Sequence, residues 1–146
     1  MSDSDSPRRY GEGDASFQAA GGEEGIRKLV DRFYDQMDER PDAASIRRMH
    51  PRDLSSSRDK LARFLCGWLG GPRRYAEKYG SIQIPKVHVR FPIHEAERDA
   101  WLDCMRAALD DFPVEDDFKA YLLRELYVPA ERIRVAVVAR EQSRSI

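Results

Sequence analysis

Cysteine is scarce in this chain, and the two cysteines present do not mark a site. Cys66 and Cys104 are the only ones among 146 residues. They lie far apart and lack the CxxC or Cys/His spacing of redox and zinc sites. Free cysteines on helical segments behave as small apolar residues, and disulfides are rare in reducing compartments. We therefore expect two packing residues in a cytoplasmic protein.

Long apolar runs and a strong net charge are also absent. No stretch approaches the roughly 20 apolar residues that a membrane-spanning helix needs, and the Ser/Asp/Gly-rich start lacks the apolar core of a signal peptide. Lys+Arg 25 against Asp+Glu 26 gives a formal net charge of -1. Such a balance produces no global field that would attract nucleic acid or an anionic membrane. We expect neither as a partner.

The chain has no alternating apolar and polar runs of the kind that predict strands. Helix-forming residues recur instead, hydrophobic residues make up 41% of the chain, and no internal repeat is found. The length suits one domain that can bury a core and enclose a flat cofactor. We predict an all-α domain over residues 17–139, a flexible tail at 1–16 and a frayed end at 140–146.

Three apolar stripes at helical spacing support that fold class. The first stripe contains Ile26, Leu29, Val30, Phe33, Tyr34 and Met37. The second contains Leu61, Phe64, Leu65, Trp68 and Leu69, and the third Ala100, Trp101, Cys104, Met105, Ala108, Leu109 and Phe112. Gly70-Gly71-Pro72 ends the second helix, and a kink or break is expected at Pro129 in the last one. A short helix is predicted near His88.

The three histidines, His50, His88 and His94, differ in their surroundings. Most histidines of helical proteins are surface or satisfied core residues. His88 lies between two apolar stripes and just before Phe91-Pro92, where a neutral imidazole could hold a metal while its other nitrogen is hydrogen bonded. Helix capping or a surface position explains His94 well, although it remains the rival ligand.

Four short sequence motifs, in a fixed order along the chain, indicate a family resemblance. They are Gly21-Gly22 followed by Phe33-Tyr34, Phe64-Leu65 ending in Gly70-Gly71-Pro72, His88 three residues before Phe91, and Arg98-Asp99-Ala100-Trp101-Leu102. In this order the chain resembles the second group of truncated hemoglobins, over roughly Gly21 to Met105. The resemblance implies a truncated globin fold, with helices stacked two over two around heme b. Arg90 departs from the family, which commonly has proline there.

The resemblance also implies a role for each site residue. His88 becomes the proximal ligand of the heme iron. The distal, ligand-facing residues become Tyr34, Trp101, His50, Leu61 and Ser57. The residues around the heme become Phe33, Lys60, Phe64, Arg73, Tyr75 and Phe91, with Lys60 placed to reach a propionate. Taken alone, Tyr34 and Trp101 could equally be core residues, and Lys60 and Arg73 solvated charges.

The function implied is binding of O2, CO and NO. Tyr34 and Trp101 would each donate a hydrogen bond to the gas ligand, with His50 as a third donor, and so slow the release of O2. Without an added ligand, His50 or Tyr34 could coordinate the iron directly. The alternatives are a heme peroxidase or NO dioxygenase on the same scaffold, or a cofactor-free helical interaction module. An unidentified reductase is a further expected partner, and the chain is expected to be a monomer or homodimer.

Overall fold

The computed structural model describes residues 9–81, 88 and 91–144, and every regular element among them is helical, which confirms the predicted fold class. The longer helices are α2 (Gly22–Glu39), α4 (Ser55–Trp68), α6 (Glu95–Leu109) and α7 (Asp116–Arg144). The shorter ones are α1 (Ala15–Ala19), a 3₁₀ turn (Pro41–Ala43), α3 (Ala44–Arg48) and α5 (Arg74–Tyr79). His88 has helical backbone geometry, whereas the rest of its predicted helix, including Arg90, lies outside the described residues.

The long helices form two packed pairs. Helix α2 packs on α4, α6 packs on α7, and α2 packs on α6, which joins the pairs through a common core. The largest fully buried side chains come from all four helices and include Phe33, Leu65, Met105 and Phe118. Cys66 and Cys104 are buried in this core as free thiols. No helix in the described part of the chain has the length and apolarity to cross a membrane.

The end of α4 explains why Gly70 and Gly71 follow it. Gly70 has a φ of +94°, in the region that disfavours side chains, and a Cβ there would overlap the carbonyl oxygen of Gly13. A Cβ on Gly71 would overlap the Phe17 ring. The backbone N–H of Phe17 donates to the Leu69 carbonyl at 3.0 Å. The two glycines therefore let α1 dock against the end of α4.

The chain before α1 packs onto α7. The Tyr10 hydroxyl donates to Asp117 at 2.8 Å, and the Tyr10 ring lies 5.5 Å from Phe118 and 5.0 Å from Tyr121, centroid to centroid. Ser16 is buried, and its Oγ accepts from the backbone N–H of Gly11. Residues 9–16, which were predicted as part of the N-terminal tail, are therefore in contact with α7 through Tyr10.

A kink or break was predicted at Pro129, and helix α7 continues through this residue without a break. Proline removes one backbone donor from a helix, but side chains on both sides of this position are held. Leu126 and Val137 are buried, and Glu131 accepts from Arg98 of α6 at 3.0 Å. The helix extends past residue 140 to Arg144.

Candidate functional site

Tyr34 lies near the middle of α2 with 5% of its surface exposed. Its ring meets Phe33 edge to face at 4.9 Å and His50 edge to face at 5.7 Å, centroid to centroid. Burial raises the pKa of the Tyr34 phenol well above its ordinary value of 10, and the Arg58 cation lowers it by less. Tyr34 therefore keeps its proton at neutral pH and can donate a hydrogen bond.

Trp101 is brought to the same place from α6. Its ring lies 4.9 Å from that of Phe33, which is fully buried and also contacts Tyr34. Trp101 itself is only half-buried, although it packs against the core. Phe33 thus lies between a phenol and an indole that come from different helices. The rings of the two predicted donors therefore both contact Phe33.

His50 follows α3, and its protonation can be worked out from its partner. Its Nδ1 lies 2.9 Å from the Ile46 carbonyl oxygen, and a carbonyl can only accept, so Nδ1 carries the hydrogen. Burial lowers the pKa of His50 below 6.5, as do the nearby Arg47 and His88 charges, against the effect of the Ile46 hydrogen bond. Neutral His50 therefore has a bare Nε2 and offers a lone pair.

His88 is half-buried and precedes α6. A positive charge on His88 would be the weakest of the influences that lower the pKa of His50, and the His88 backbone carbonyl accepts from the Phe91 N–H at 3.0 Å. His50 contacts the Tyr34 ring, so the structure brings these two predicted distal residues together. Phe91, which follows His88, is also half-buried.

His94 caps a helix, which is one of the two explanations that the sequence offered for it. It is the N-cap of α6, and its backbone N–H donates to Glu97 Oε1 at 2.9 Å. Its Nε2 lies 2.9 Å from both carboxylate oxygens of Glu141 on α7. These contacts engage His94 in joining α6 to α7, and so favour His88 as the ligand.

The apolar side of the candidate site comes from α4. Leu61 and Phe64 are partly buried against the core, and Phe64 stacks on Trp68 with ring centroids 6.2 Å apart. Ser57, one turn before Leu61, is half-buried as well. Residues that pack on a core and still keep an accessible face are suited to line a cofactor.

The predicted propionate contacts lie where α4 meets α5. Lys60 is exposed, with its Nζ 5.5 Å from the centre of the Tyr79 ring. Tyr79 in turn lies 5.0 Å from Tyr75, centroid to centroid. Lys60 and Tyr75 are therefore both beside one ring, whereas Arg73 is exposed just before α5 begins.

Two charged residues beside this site were missed by the sequence analysis. Arg58 donates to Asp31 and Asp35 on α2. Asp59 accepts hydrogen bonds from side chains of three helices, namely Arg27, Arg63, Lys78 and Tyr79. The i,i+4 spacing of Asp31 and Asp35 was the one sequence signal, because it places two carboxylates on one face of α2.

The described residues do not form a site for a bare metal ion. In residues 9–81, 88 and 91–144, no three His, Cys, Asp or Glu side chains come together as ligands. The arrangement instead offers Tyr34, His50 and Trp101 around Phe33, and His88 as a separate imidazole from the segment before α6. A single protein ligand suits a metal whose remaining positions are held by a macrocycle.

Comparisons with known proteins agree on one family. The model of the bacterial-like globin family matches residues 15–133. The group 2 truncated hemoglobin YjbI of Bacillus subtilis is 33% identical over 122 residues, which are 84% of this chain and 90% of that protein.

Solved structures give the same result. The group II 2-on-2 hemoglobin of Agrobacterium tumefaciens aligns with a TM-score of 0.77 and 35% identity, covering 89% of this chain and 97% of that one. The truncated oxygen-avid haemoglobin of Bacillus subtilis aligns with a TM-score of 0.74 and 33% identity, covering 81% and 97%.

Proposed function

The chain belongs to the bacterial-like globins and, among them, to the group II truncated hemoglobins, and from this premise we propose that it binds heme b through His88 and holds O2 tightly. Globins of this family bind heme and diatomic gases. The identity of the ligand residue, the preference for O2 and the slow release of that gas are our proposal.

The residues fit a heme group. The observation that carries the proposal is that the Phe33 ring contacts both Tyr34 and Trp101, while the Tyr34 ring contacts His50. One candidate iron ligand, His88, and two hydrogen-bond donors come from three different parts of the chain. Aromatic side chains with accessible faces supply the apolar surroundings that a porphyrin needs.

When bound, heme supplies an iron atom at which a diatomic gas binds reversibly. Tyr34 and Trp101 each supply one proton donor, and the low polarity around Phe33 strengthens both donors. A hydrogen bond contributes about 1 kcal/mol, and 1.4 kcal/mol corresponds to a tenfold change in affinity. Two donors would therefore slow O2 release by one order of magnitude or more. The relative from Bacillus subtilis that is described as oxygen-avid supports this expectation.

His50 takes a different part in this proposal. Its Nδ1–H is held by Ile46, so its bare Nε2 can accept a hydrogen bond. When no gas is bound, this acceptor beside the Tyr34 ring is suited to accept a hydrogen bond from the Tyr34 hydroxyl. The same lone pair could instead coordinate the iron. Gas binding would then compete with His50 for Tyr34.

We propose further that Lys60, Tyr75 and Arg73 hold the propionate edge of the heme. Lys60 and Tyr75 both lie beside the Tyr79 ring, and Lys60 and Arg73 are exposed cations. A carboxylate near two cations and a phenol gains charge-assisted hydrogen bonds. The buried free thiols favour a reducing cytoplasm, where a reductase of unknown identity would keep the iron ferrous.

Absorption spectra of the ferric, ferrous and CO-bound protein test the proposal. We expect a Soret band in the wild-type protein and its loss or large shift in His88→Ala. His94→Ala is the matched control, because it removes the other histidine near α6 and should keep the band. A colourless wild-type protein would contradict heme binding, and an unchanged CO spectrum in His88→Ala would contradict the assigned ligand.

A further inference from the structure

Arg58 links α4 to α2 directly beside the distal tyrosine. Its guanidinium donates to Asp31 Oδ1 at 3.0 Å and to Asp35 Oδ1 at 3.0 Å, and also to the Asp31 backbone carbonyl at 3.1 Å. The two aspartates are one helical turn apart on α2, with Tyr34 between them in sequence. A planar guanidinium held by two carboxylates has little freedom to move.

The same guanidinium lies over the Tyr34 ring. Arg58 Cζ is 5.7 Å from the ring centre, within the range of a cation–π contact. The Arg58 side chain is 27% exposed, so its charge is partly shielded from water. A nearby cation stabilises negative charge on the phenol oxygen and therefore makes the O–H a stronger donor.

We propose that Arg58 is a positioning residue for the gas ligand: held by Asp31 and Asp35, it fixes the Tyr34 ring and strengthens the hydroxyl as a hydrogen-bond donor. The inference rests on the proposed function, since it needs Tyr34 to face the ligand. It goes beyond a role for Tyr34 alone, because the strength of the Tyr34 hydroxyl as a donor would then depend on two carboxylates of α2 and a cation of α4.

The test is a double-mutant cycle between Arg58 and Tyr34, read in stopped-flow O2 dissociation. Arg58→Gln should speed dissociation about two- to fivefold, with the loss of the whole Tyr34 hydrogen bond as the upper bound. In a Tyr34→Phe background, the same change should have no further effect. The C–O stretching frequency of the CO complex should shift in Arg58→Gln and stay constant in the Tyr34→Phe background, because it reports the field at the ligand.

A matched control separates this role from general packing. Arg32 also lies over an aromatic ring, with its Cζ 5.7 Å from the centre of Phe112, and it donates to backbone carbonyls at the end of α6. Arg32→Gln removes the same kind of contact away from the site and should leave the C–O stretch unchanged. An equal shift in Arg32→Gln would overturn the proposal.

Further variants cover the case in which Arg58→Gln folds poorly. Asp31→Asn with Asp35→Asn keeps the cation but releases it, and should give part of the Arg58→Gln effect. Arg58→Lys keeps the positive charge but lacks the planar guanidinium that pairs with both aspartates, and should give an intermediate rate of O2 dissociation. Equal effects of Arg58→Gln with and without the Tyr34 hydroxyl, or none in the wild-type background, would overturn the inference. A Tyr34→Phe rate equal to wild type would instead overturn the donor role on which both proposals depend.

Discussion

Asp59 offers the sharpest prediction about stability, because one carboxylate joins three helices. It accepts from Tyr79 at 2.6 Å, Lys78 at 2.9 Å, Arg63 at 3.0 Å and Arg27 at 3.2 Å. Asp59→Asn keeps the shape of the side chain, but it removes the charge and one acceptor oxygen. The amide hydrogens that replace this oxygen would face cations. We therefore expect a loss well above that of a surface ion pair.

The magnitude follows from the exposure of the partners. Lys78 and Arg27 have half-exposed side chains, and such pairs contribute about 0.5 kcal/mol each. Arg63 and Tyr79 are better shielded, and hydrogen bonds of this kind contribute about 1 kcal/mol each. The total is about 3 kcal/mol. For a chain of this size, that free energy lowers Tm by roughly 9 °C.

The assay is urea unfolding of the loaded protein at pH 7, with Asp42→Asn as the control. Asp42 is 48% exposed and pairs with Arg40 of the same turn, so its replacement should cost about 0.5 kcal/mol or less. A loss below about 1 kcal/mol for Asp59→Asn would refute the reasoning, since four well-formed contacts would then contribute no more than isolated pairs.

The dependence on pH gives an independent check. Hydrogen bonds from Tyr79 and Lys78 hold the pKa of Asp59 well below its ordinary value of 3.8. A depressed folded-state pKa contributes stability above the unfolded value, which is lost as pH falls below 3.8. At pH 3 the wild-type protein should lose about 0.5 to 1 kcal/mol through this group, after allowing for solvent screening. Asp59→Asn lacks this loss, so the two proteins should differ less at pH 3 than at pH 7.

Two further changes test the distal site and the turn after α4. Trp101→Phe should speed O2 dissociation about five- to tenfold, because it removes one donor. Trp68→Phe on α4 is the control and should leave the rate unchanged. Equal rates for wild type and Trp101→Phe would mean that the indole does not donate to the ligand. Gly70→Ala should lower the free energy of unfolding by about 2 to 3 kcal/mol, because backbone strain and overlap with Gly13 combine. Gly13→Ala, with a φ of +51° but open space around it, should cost only about 1 kcal/mol in the same urea titration.

Apolar periodicity predicted the core well, because the residues that share one apolar face of a helix are the ones that become buried. Phe33, Leu65 and Met105 were placed in three stripes, and all three are fully buried in the structure. The path of α7 could not be predicted in the same way. Pro129 signals a break locally, yet buried residues on both sides and the pairing of Glu131 with Arg98 keep the helix continuous. Such tertiary contacts are invisible to a local rule.

The candidate site was predicted only as far as residue types and family order allow. Tyr34 and Trp101 meet around Phe33, as that order implied, although their roles toward a ligand remain a prediction. The state of His50 depends on the backbone carbonyl of Ile46, which a sequence motif does not show. Arg58 was missed because its partners are more than 20 positions away in the chain.

The charged residues of α4 determine more than stability, because they fix the rotation of the helix. Successive side chains on a helix point about 100° apart, so Arg58, Asp59 and Leu61 face different neighbours. Arg58 reaches Asp31 and Asp35, Asp59 reaches Arg27 and α5, and Leu61 packs on the core. An apolar stripe as wide as this one tolerates some rotation of α4, whereas ion pairs on two sides do not. The same contacts that hold the helix therefore also decide which face of α4 is turned toward Tyr34.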